Sequence, residues 1–453
     1  MPNAQPARRR PVLAGPSSLL ATTPATAVTT TLATALTVMA AVVVATASVV
    51  LPTAAPAGAS GGDRWAGRII RLGAIFSTTG IGAPYGPEQT AGARLAVAQI
   101  NASGGVHGAK VRLTVRNDNS DAATSGVRMR TLISDDKVLA VLGPTFSNSA
   151  AVADPLADQL RTPVLAVSNT GPGIVGQCAY PCNWIFRDSL GEAVMLPAGI
   201  DTYVATASPA RASVIYPGGD AYGASSAQIA AQALAAAGVQ VLGSVMVTDP
   251  TQPDGPVGTA LAGDPTVVVI TASSAVADGH IMTSLRAQGF TGQILGGNAF
   301  NSPVAGTTAG EASLGARSAA GWFLGSPSAA NRAFVAAYEA RYGKAPDQFS
   351  ALAYTGVRLL ADAAGAADLG FRSVAADRAK LKASLASVKA VTPQGLFQFT
   401  ADHNPVQPIW LVAMNGHGGY RLVKVLPRTV SREGATTGPT TAAATGTQGT
   451  SGT

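Results

Sequence analysis

The chain has 453 residues, long enough for about two to three domains and a sizeable hydrophobic core, which excludes a peptide or a small disulfide-stapled scaffold. Hydrophobic residues make up 47%, too many for a disordered chain, and the 51 glycines and 29 prolines are too many for a coiled coil. The net charge of +7 indicates a nucleic-acid or anionic-membrane partner only if the basic residues belong to the folded part.

The first 59 residues have the order of an export signal. Three arginines at residues 8–10 precede an apolar stretch at residues 32–51, and a small-x-small cleavage site follows at residues 57–59. The apolar stretch is also long enough to span a bilayer, so residues 1–59 are either a cleaved signal peptide or an N-terminal anchor. Without the three arginines the net charge falls to +4, which does not indicate a nucleic-acid-binding protein. We expect an extracytoplasmic protein, at the cell surface or in the periplasm.

Strand-like and helix-like segments alternate through the first block of the chain. The predicted strands cover residues 69–76, 110–116, 138–142, 163–167 and 184–187, and the predicted helices cover residues 88–101, 121–134 and 149–160. Such alternation predicts parallel strands joined by crossover helices, in an open α/β sheet.

The same alternation resumes in a second block. Its predicted helices cover residues 192–205, 225–237 and 280–288, and its strands cover residues 213–216, 239–245, 266–270 and 293–295. Three helical stretches (329–341, 349–366 and 374–388) and a hairpin-like pair of strands (396–399 and 409–412) follow. The pattern predicts two α/β lobes with a cleft between them. Residues 427–453 are rich in Thr, Gly and Ala, which predicts a disordered tail.

Ligand-binding residues are expected in the loops after the strands. In open α/β sheets, ligands bind at the carboxyl ends of the strands, where loops meet helix N-termini. Ser147 lies in such a loop, where hydroxyl and backbone N–H groups can hold a carboxylate, but a simple helix cap is the alternative interpretation. Tyr85 and Tyr222 each begin a Tyr-Gly pair in a loop before a helix, and each either lines the cleft or packs in the core.

The sequence favours no catalytic, cofactor or metal site. Gly171, Gly173 and Gly176 match the dinucleotide pattern GxGxxG, but cysteines and a proline follow where a crossover helix is required. No nucleophile elbow or phosphate loop occurs, and the four histidines are far apart. In an exported protein, Cys178 and Cys182 are expected to form a disulfide that closes one loop and contributes about 2 kcal/mol.

An ordered set of motifs resembles one family. It comprises residues 69–80, Tyr85-Gly86, residues 95–108, 117–121, 141–147 (VLGPTFS) and 185–187, Tyr222-Gly223 and residues 285–290. Their order and spacing resemble those of the leucine/isoleucine/valine-type periplasmic binding proteins, the solute receptors of branched-chain amino acid ABC importers. The resemblance covers residues 69–423.

The resemblance implies a type I periplasmic-binding-protein fold, in which two Rossmann-like lobes joined by a three-stranded hinge close on a ligand. Lobe 1 would comprise residues 69–187 plus 321–392, and lobe 2 residues 188–320 plus 393–426. Ser147 would hold a ligand carboxylate with help from Ser168, Asn169 and Thr170. Tyr85 and Tyr222 would line the cleft.

One position departs from the family. Amino-acid binders carry an acidic residue for the ligand ammonium after the strand that here ends near residue 295, and the nearest match is the neutral Asn298. Because a buried ammonium without a partner is costly, an amino acid would need another carboxylate in the cleft. The ligand class stays open between an amino acid, an amide or urea-like solute, and an aliphatic or aromatic organic acid.

The predicted function is an extracytoplasmic receptor that passes a small solute to an ABC permease, with no cofactor and as a monomer. The alternative is a membrane-anchored sensor of the same fold that keeps residues 32–51 as its anchor.

Overall fold

The computed structural model describes residues 63–430, apart from the side chains of residues 428–430. The predicted signal or anchor at residues 1–59 and most of the predicted tail, residues 431–453, lie outside the described residues. Within residues 63–430, no helix has the length and apolar character needed to cross a membrane.

The first sheet is fully parallel. Its strands are β1 (Ile69–Ile75), β2 (Lys110–Arg116), β3 (Ala140–Leu142), β4 (Val164–Ala166) and β5 (Ile185–Arg187), and the helices between them are α1 (Gly86–Ala102), α2 (Ala122–Arg130) and α3 (Ser147–Gln159). The strand order is β2-β1-β3-β4-β5. The chain therefore starts at an inner strand and winds to both edges, which confirms the predicted open α/β sheet.

The second sheet repeats this plan. Its parallel strands are β6 (Arg211–Pro217), β7 (Gln240–Val247), β8 (Val267–Ile270), β9 (Gln293–Gly296) and β10 (Arg317–Ala320), and its helices are α4 (Glu192–Ala207), α5 (Ala221–Ala236), α6 (Asp254–Leu261), α7 (Ala275–Ala287) and α8 (Pro303–Ala309). The sequence did not indicate α6, α8 or β10. They are short, and their Gly- and Thr-rich sequences have little hydrophobic periodicity.

The last part of the chain returns to the first lobe and then joins the second sheet. It comprises α9 (Ala329–Tyr342), α10 (Gln348–Ala366), α11 (Val374–Leu385), β11 (Lys389–Thr392), β12 (Gly395–Phe399), β13 (Pro405–Met414) and β14 (Tyr420–Val430). Helix α10 is the central helix of the first core, where Val357 and Leu360 pack with Ile70 and Leu72 of β1. The second sheet has the order β11-β12-β13-β10-β9-β8-β6-β7, with β14 paired to β13.

The chain crosses between the two sheets after β5, after β10 and along β12 and β13. Buried polar groups tie the first of these crossings to the last, because the carbonyl of Asp188 accepts hydrogen bonds from Nε2 of Gln394 (3.0 Å) and of Gln407 (3.1 Å). Two lobes linked in this way are the type I fold that the resemblance implied.

The exact lobe boundaries stay predictions, and the packing departs from them at β12. Phe397 and Phe399 belong to the hydrophobic cluster of β1 and α10, although residues 393–426 were assigned to lobe 2. The predicted start of the tail at residue 427 is wrong, since Thr429 and Val430 are still paired with Gln407 and Val406 in the β13–β14 ladder.

Candidate functional site

All seven predicted ligand-binding residues line one cavity between the lobes. The space in the cavity that protein atoms do not fill, including its opening to solvent, is about 310 Å³, which restricts it to a small ligand. Its walls are formed by Tyr85, Thr145, Phe146, Ser147, Ser168, Asn169, Thr170, Tyr222, Ala272, Ser273, Asn298, Ala299 and Phe349. Most of these residues lie in loops after strands of either sheet, because the carboxyl ends of parallel strands meet at one edge.

One end of the cavity presents hydrogen-bond donors. Ser147 is the first residue of α3, so the first backbone N–H groups of this helix have no intrahelical acceptor and carry its partial positive charge. Ser147 Oγ accepts a 3.0 Å hydrogen bond from the N–H of Gly171, which fixes the hydroxyl in place. A Cβ at Gly171 would lie 2.9 Å from Ser147 Oγ, so the close contact between the backbone of residue 171 and Ser147 requires glycine. The arrangement suits a carboxylate.

Ser168 and Asn169 hold the loops that shape this end. The Ser168 hydroxyl donates to the carbonyl of Thr145 (2.7 Å) and accepts from Gln89 Nε2 (2.8 Å). Asn169 Nδ2 donates to the carbonyl of Pro144 (2.8 Å), whereas Asn169 Oδ1 is buried without a hydrogen-bond partner in the described part of the chain. The Ser168 side chain is therefore a structural element of the site, and Asn169 keeps one acceptor for a ligand.

An aromatic wall lies beside the polar end. The ring centroid of Tyr85 is 5.7 Å from that of Phe146 and 4.6 Å from that of Phe349. The Tyr85 hydroxyl donates to the carbonyl of Ser273 (3.1 Å) and accepts from the N–H of Ala275 (2.7 Å), so this lobe 1 residue also binds the second lobe. Complete burial raises the pKa of Tyr85 well above its usual value. The wall suits an aliphatic or aromatic group.

A buried carboxylate lies behind the opposite wall. Glu192 is the first residue of α4, and its Oε2 accepts a 2.9 Å hydrogen bond from the hydroxyl of Thr170. A Cβ at Gly297 would lie 2.6 Å from Glu192 Oε1 and 3.4 Å from the Tyr222 hydroxyl, so Gly297 makes room for both groups. Burial raises the pKa of Glu192 to about 7, although the hydroxyls of Tyr222 and Thr170 lower it. Burial and Glu192 together raise the pKa of Tyr222.

The sequence analysis missed Glu192, Phe146 and Phe349. Phe146 is part of the loop that was singled out for Ser147, so its position was available from the sequence. Phe349 lies near the start of α10, and Glu192 begins α4 after the first crossing between the lobes. No sequence pattern links these two residues to the cavity, because their segments meet it only in the folded chain.

Asn298 lines the cavity, but the nitrogen and the oxygen of its side-chain amide both form hydrogen bonds within the protein. Its Nδ2 donates to the carbonyl of Ser168 (3.1 Å), and its Oδ1 accepts from Gln348 Nε2 (2.8 Å). The amide therefore joins the end of β9 to two segments of the first lobe. An aspartate here would place a second acceptor against the carbonyl of Ser168, which makes Asn298 a connector between lobes.

Further hydrogen bonds hold the cleft closed at its mouth. Asn148 Nδ2 donates to Asp220 Oδ1 (3.1 Å), and Asn148 Oδ1 accepts from the N–H of Tyr222 (3.1 Å). Asp220 in turn accepts from the N–H of Ser273 (2.7 Å). One asparagine of lobe 1 thus binds two points of lobe 2, next to the cavity.

Cys178 and Cys182 form a disulfide. The bridge closes the loop that follows the Thr170 segment, and Cys182 packs with Ile174 and Val175 in a small core under the first sheet. The disulfide lies outside the cavity lining. Among residues 63–430, no three His, Cys, Asp or Glu side chains are grouped as metal ligands would be.

The chain is similar to curated solute-binding proteins. It is 29% identical over 226 residues to the chemotactic signal transduction system substrate-binding protein BasB of Halobacterium salinarum. The aligned region makes up 48% of this chain and 53% of that protein. It is 38% identical over 106 residues to the Leu/Ile/Val-binding protein homolog 7 of Brucella suis. This aligned region makes up 23% of this chain and 24% of that protein. The chain thus spans about half or less of the length of these relatives.

Solved structures share the fold over most of this chain. The substrate-binding protein LivJ of Streptococcus pneumoniae, in complex with isoleucine, is 25% identical with a TM-score of 0.70, over 79% of this chain and 99% of that chain. A Rhodopseudomonas palustris solute-binding protein in complex with benzoate is 21% identical with a TM-score of 0.72, over 81% of this chain and 98% of that chain. At 21% identity, the similarity to the benzoate-binding protein shows a shared fold only.

These findings confirm the resemblance to Leu/Ile/Val-type binding proteins. The family model described as periplasmic binding protein matches residues 69–419, which is most of the chain and includes both sheets and the cavity between them. The chain therefore belongs to the periplasmic binding protein family, whose members bind solutes and are not enzymes.

Proposed function

We propose that this protein is an extracytoplasmic receptor that captures a small solute bearing a carboxylate and an apolar group. The observation that carries the proposal is the cavity itself, with Ser147 and the α3 N-terminus at one end and the aromatic wall of Tyr85, Phe146 and Phe349 beside it. The isoleucine and benzoate bound by the two structural neighbours each combine a carboxylate with a hydrocarbon group. The family membership supports the extracytoplasmic location.

Capture works through closure of the lobes. A ligand that contacts both lobes stabilises the closed form in proportion to the difference between its affinities for the closed and open forms. The bonds of Tyr85 to Ser273 and Ala275, and of Asn148 to Asp220, form only when the lobes meet. We propose that an ABC permease recognises this closed form and takes over the solute.

A ligand screen on the full chain tests the proposal. We expect isoleucine, leucine, benzoate or 4-hydroxybenzoate to raise the melting temperature and to give a binding isotherm by calorimetry. Isoleucinamide and benzamide, which lack the carboxylate, serve as matched controls and are expected to bind at least tenfold more weakly, because they cannot present an anion to α3. If none of the carboxylates binds, or if the amides bind equally well, the proposal is wrong.

A signalling role is the second candidate, and the similarity to BasB favours it. In this case the closed receptor would be recognised by a transducer in the membrane. Purification of the ligand-loaded protein from its native membrane, followed by identification of its partners, distinguishes the two roles. Permease and ATPase subunits support delivery, whereas a transducer supports signalling.

A further inference from the structure

A second cavity lies in the second lobe, between helix α4 and the sheet that it covers. The space that protein atoms do not fill there, including the opening to solvent, is about 380 Å³, which is enough for one small ligand. Its lining comes from one face of α4 and from strands β9, β10, β13 and β14, and no lining residue is shared with the cavity between the lobes. We call this second space the α4 cavity.

The α4 cavity is a gap in the apolar layer between helix and sheet. Leu196 and Leu295 belong to the hydrophobic cluster on one side of it, and Met195 and Leu411 belong to the cluster on the other side. Gly199 is four residues after Met195, so both lie on the same face of the helix. A Cβ at Gly199 would meet no atom within 4 Å, so the helix has no side chain that fills the gap. Such walls suit a hydrocarbon group.

One lining residue of the α4 cavity, Arg317, carries a charge. It is the first residue of β10, and its Nε is buried without a hydrogen-bond partner among the described residues. None of the ion pairs found within residues 63–430 involves Arg317. A buried donor without an acceptor costs free energy, and a ligand that brings an acceptor removes this cost.

Tyr203 positions the Arg317 guanidinium without neutralising it. The central carbon of the guanidinium lies 5.4 Å from the centroid of the Tyr203 ring, within the range of a cation–π contact. Burial raises the pKa of Tyr203, and the positive charge of Arg317 opposes this rise, so the phenol is neutral at pH 7. The α4 cavity therefore combines a cation in a fixed position with apolar walls.

The two acidic residues of α4 do not balance this charge. Glu192 lies behind the wall of the other cavity, where its Oε2 accepts the hydrogen bond from Thr170. Asp201 is exposed, and burial is what raises its pKa, with no contribution from Arg317. The positive charge in the α4 cavity is thus available to a ligand.

We propose that the α4 cavity is a second binding site, which takes a small organic acid with a hydrocarbon body. The carboxylate accepts hydrogen bonds from Arg317, whose planar guanidinium matches the geometry of a carboxylate. The hydrocarbon group fills the gap beside Gly199, against Met195 and Leu411. A neutral solute of the same shape leaves the positive charge without a partner, and a cationic solute is repelled by it.

Methyl NMR of the full chain, labelled with ¹³C at the methionine methyl groups, tests the proposal. Met195 lines the α4 cavity, and its resonance is identified with Met195→Leu. Met129, which is buried in α2, is the internal reference. The probes are hexanoate and hexanamide, which have the same length and differ in charge. Both are titrated in a large excess of isoleucine, which competes for the cavity between the lobes.

We expect hexanoate to shift the Met195 resonance to saturation and to leave the Met129 resonance in place. Hexanamide should bind at least about tenfold more weakly, because hydrogen bonds to a charged group are the stronger ones. Melting temperatures establish that each variant described next is folded before its affinity is compared.

Two positions isolate the two halves of the site. Arg317→Gln removes the charge and is expected to weaken hexanoate at least about tenfold with little effect on hexanamide, whereas Arg317→Lys should recover part of the loss. Gly199→Leu fills the gap and should abolish the response of Met195 to both probes. Arg94→Gln, at an exposed arginine of α1, is the control and should change neither affinity.

The remaining outcomes overturn the inference. Equal affinity for the two probes, or a hexanoate affinity unchanged in Arg317→Gln, shows that the α4 cavity does not recognise an anion. A hexanoate response that persists in Gly199→Leu, or that isoleucine suppresses as its concentration rises, assigns hexanoate to another site. The proposed function is unaffected by any of these results, because it concerns the cavity between the lobes.

Discussion

The backbone N–H of Gly171 donates a 3.0 Å hydrogen bond to Ser147 Oγ and thereby orients a hydroxyl at the N-terminus of α3. In this bond Ser147 Oγ is the acceptor, so the hydroxyl hydrogen is not used by it. Since the loops after β3 and β4 meet at this bond, the donor end of the cavity is assembled before any ligand arrives. A preformed set of donors favours affinity because binding then costs little entropy for ordering these groups.

Replacement of Ser147 by alanine is expected to weaken carboxylate binding by about 1–3 kcal/mol, the range for a charged group that loses one hydrogen bond. Isothermal titration with isoleucine or benzoate measures the loss. Ser125→Ala is the matched control, because Ser125 is also buried, in α2, but lies outside the cavity lining. An affinity unchanged by Ser147→Ala would remove this hydroxyl from the binding site.

Asn148→Ala is expected to open the cleft. It removes the bonds to Asp220 Oδ1 and from the Tyr222 N–H, each worth about 0.5–1.5 kcal/mol, and both are present only in the closed form. The closed population and the ligand affinity should both fall, by about tenfold. Small-angle scattering without ligand should give a larger radius of gyration than for the unmodified protein. Identical scattering and affinity would show that these bonds do not contribute to closure.

Gly297→Ala is expected to displace Glu192. The new Cβ would lie 2.6 Å from Glu192 Oε1 in a buried site, so either the carboxylate or the backbone must move, at a cost of about 1–3 kcal/mol. Denaturant unfolding measures this cost. When Glu192 is also replaced by alanine, Gly297→Ala should cost much less unfolding free energy, because the new Cβ no longer clashes with the Glu192 carboxylate.

Gly199→Ala in α4 is the control for this substitution, since a Cβ there meets nothing within 4 Å. Equal destabilisation of Gly297→Ala in the presence and absence of the Glu192 side chain would contradict the assigned contact.

The protein is expected to be more stable at pH 5 than at pH 8. Burial raises the pKa of Asp347, the N-cap of α10, to about 7 and that of Glu192 to about 7 as well. Between pH 4 and 7 the folded chain therefore binds more protons than the unfolded chain. The free energy of unfolding falls across this window by up to about 3 kcal/mol per group.

Melting temperatures of the ligand-free protein from pH 4 to pH 8 measure this trend. Asp347→Asn keeps an N-cap acceptor and removes the titration, so it should flatten the profile without removing the cap. Buried Asp188 and Asp278 also have raised pKa values and contribute with the same sign. A melting temperature that rises between pH 5 and pH 8 would contradict the prediction.

Most of the fold was predictable because its signals are local. The apolar runs of β1 and β8 and the helical periodicity of α1 and α10 depend on near neighbours in the sequence, and parallel pairing then follows from the alternation of strand and helix. Short Gly- and Thr-rich elements such as α8 and β10 gave no such signal. They form because the second sheet and its helices supply the apolar contacts that their own sequences lack.

The sequence by itself determined the two-lobed α/β architecture, and with the family resemblance it named seven residues of the cavity wall. Only the tertiary structure decided what these residues do. It showed that the Asn298 amide is occupied by Ser168 and Gln348, and it placed Glu192 behind Thr170. Both results depend on contacts between segments far apart in the chain, and the raised pKa of Glu192 depends on its burial in the folded chain.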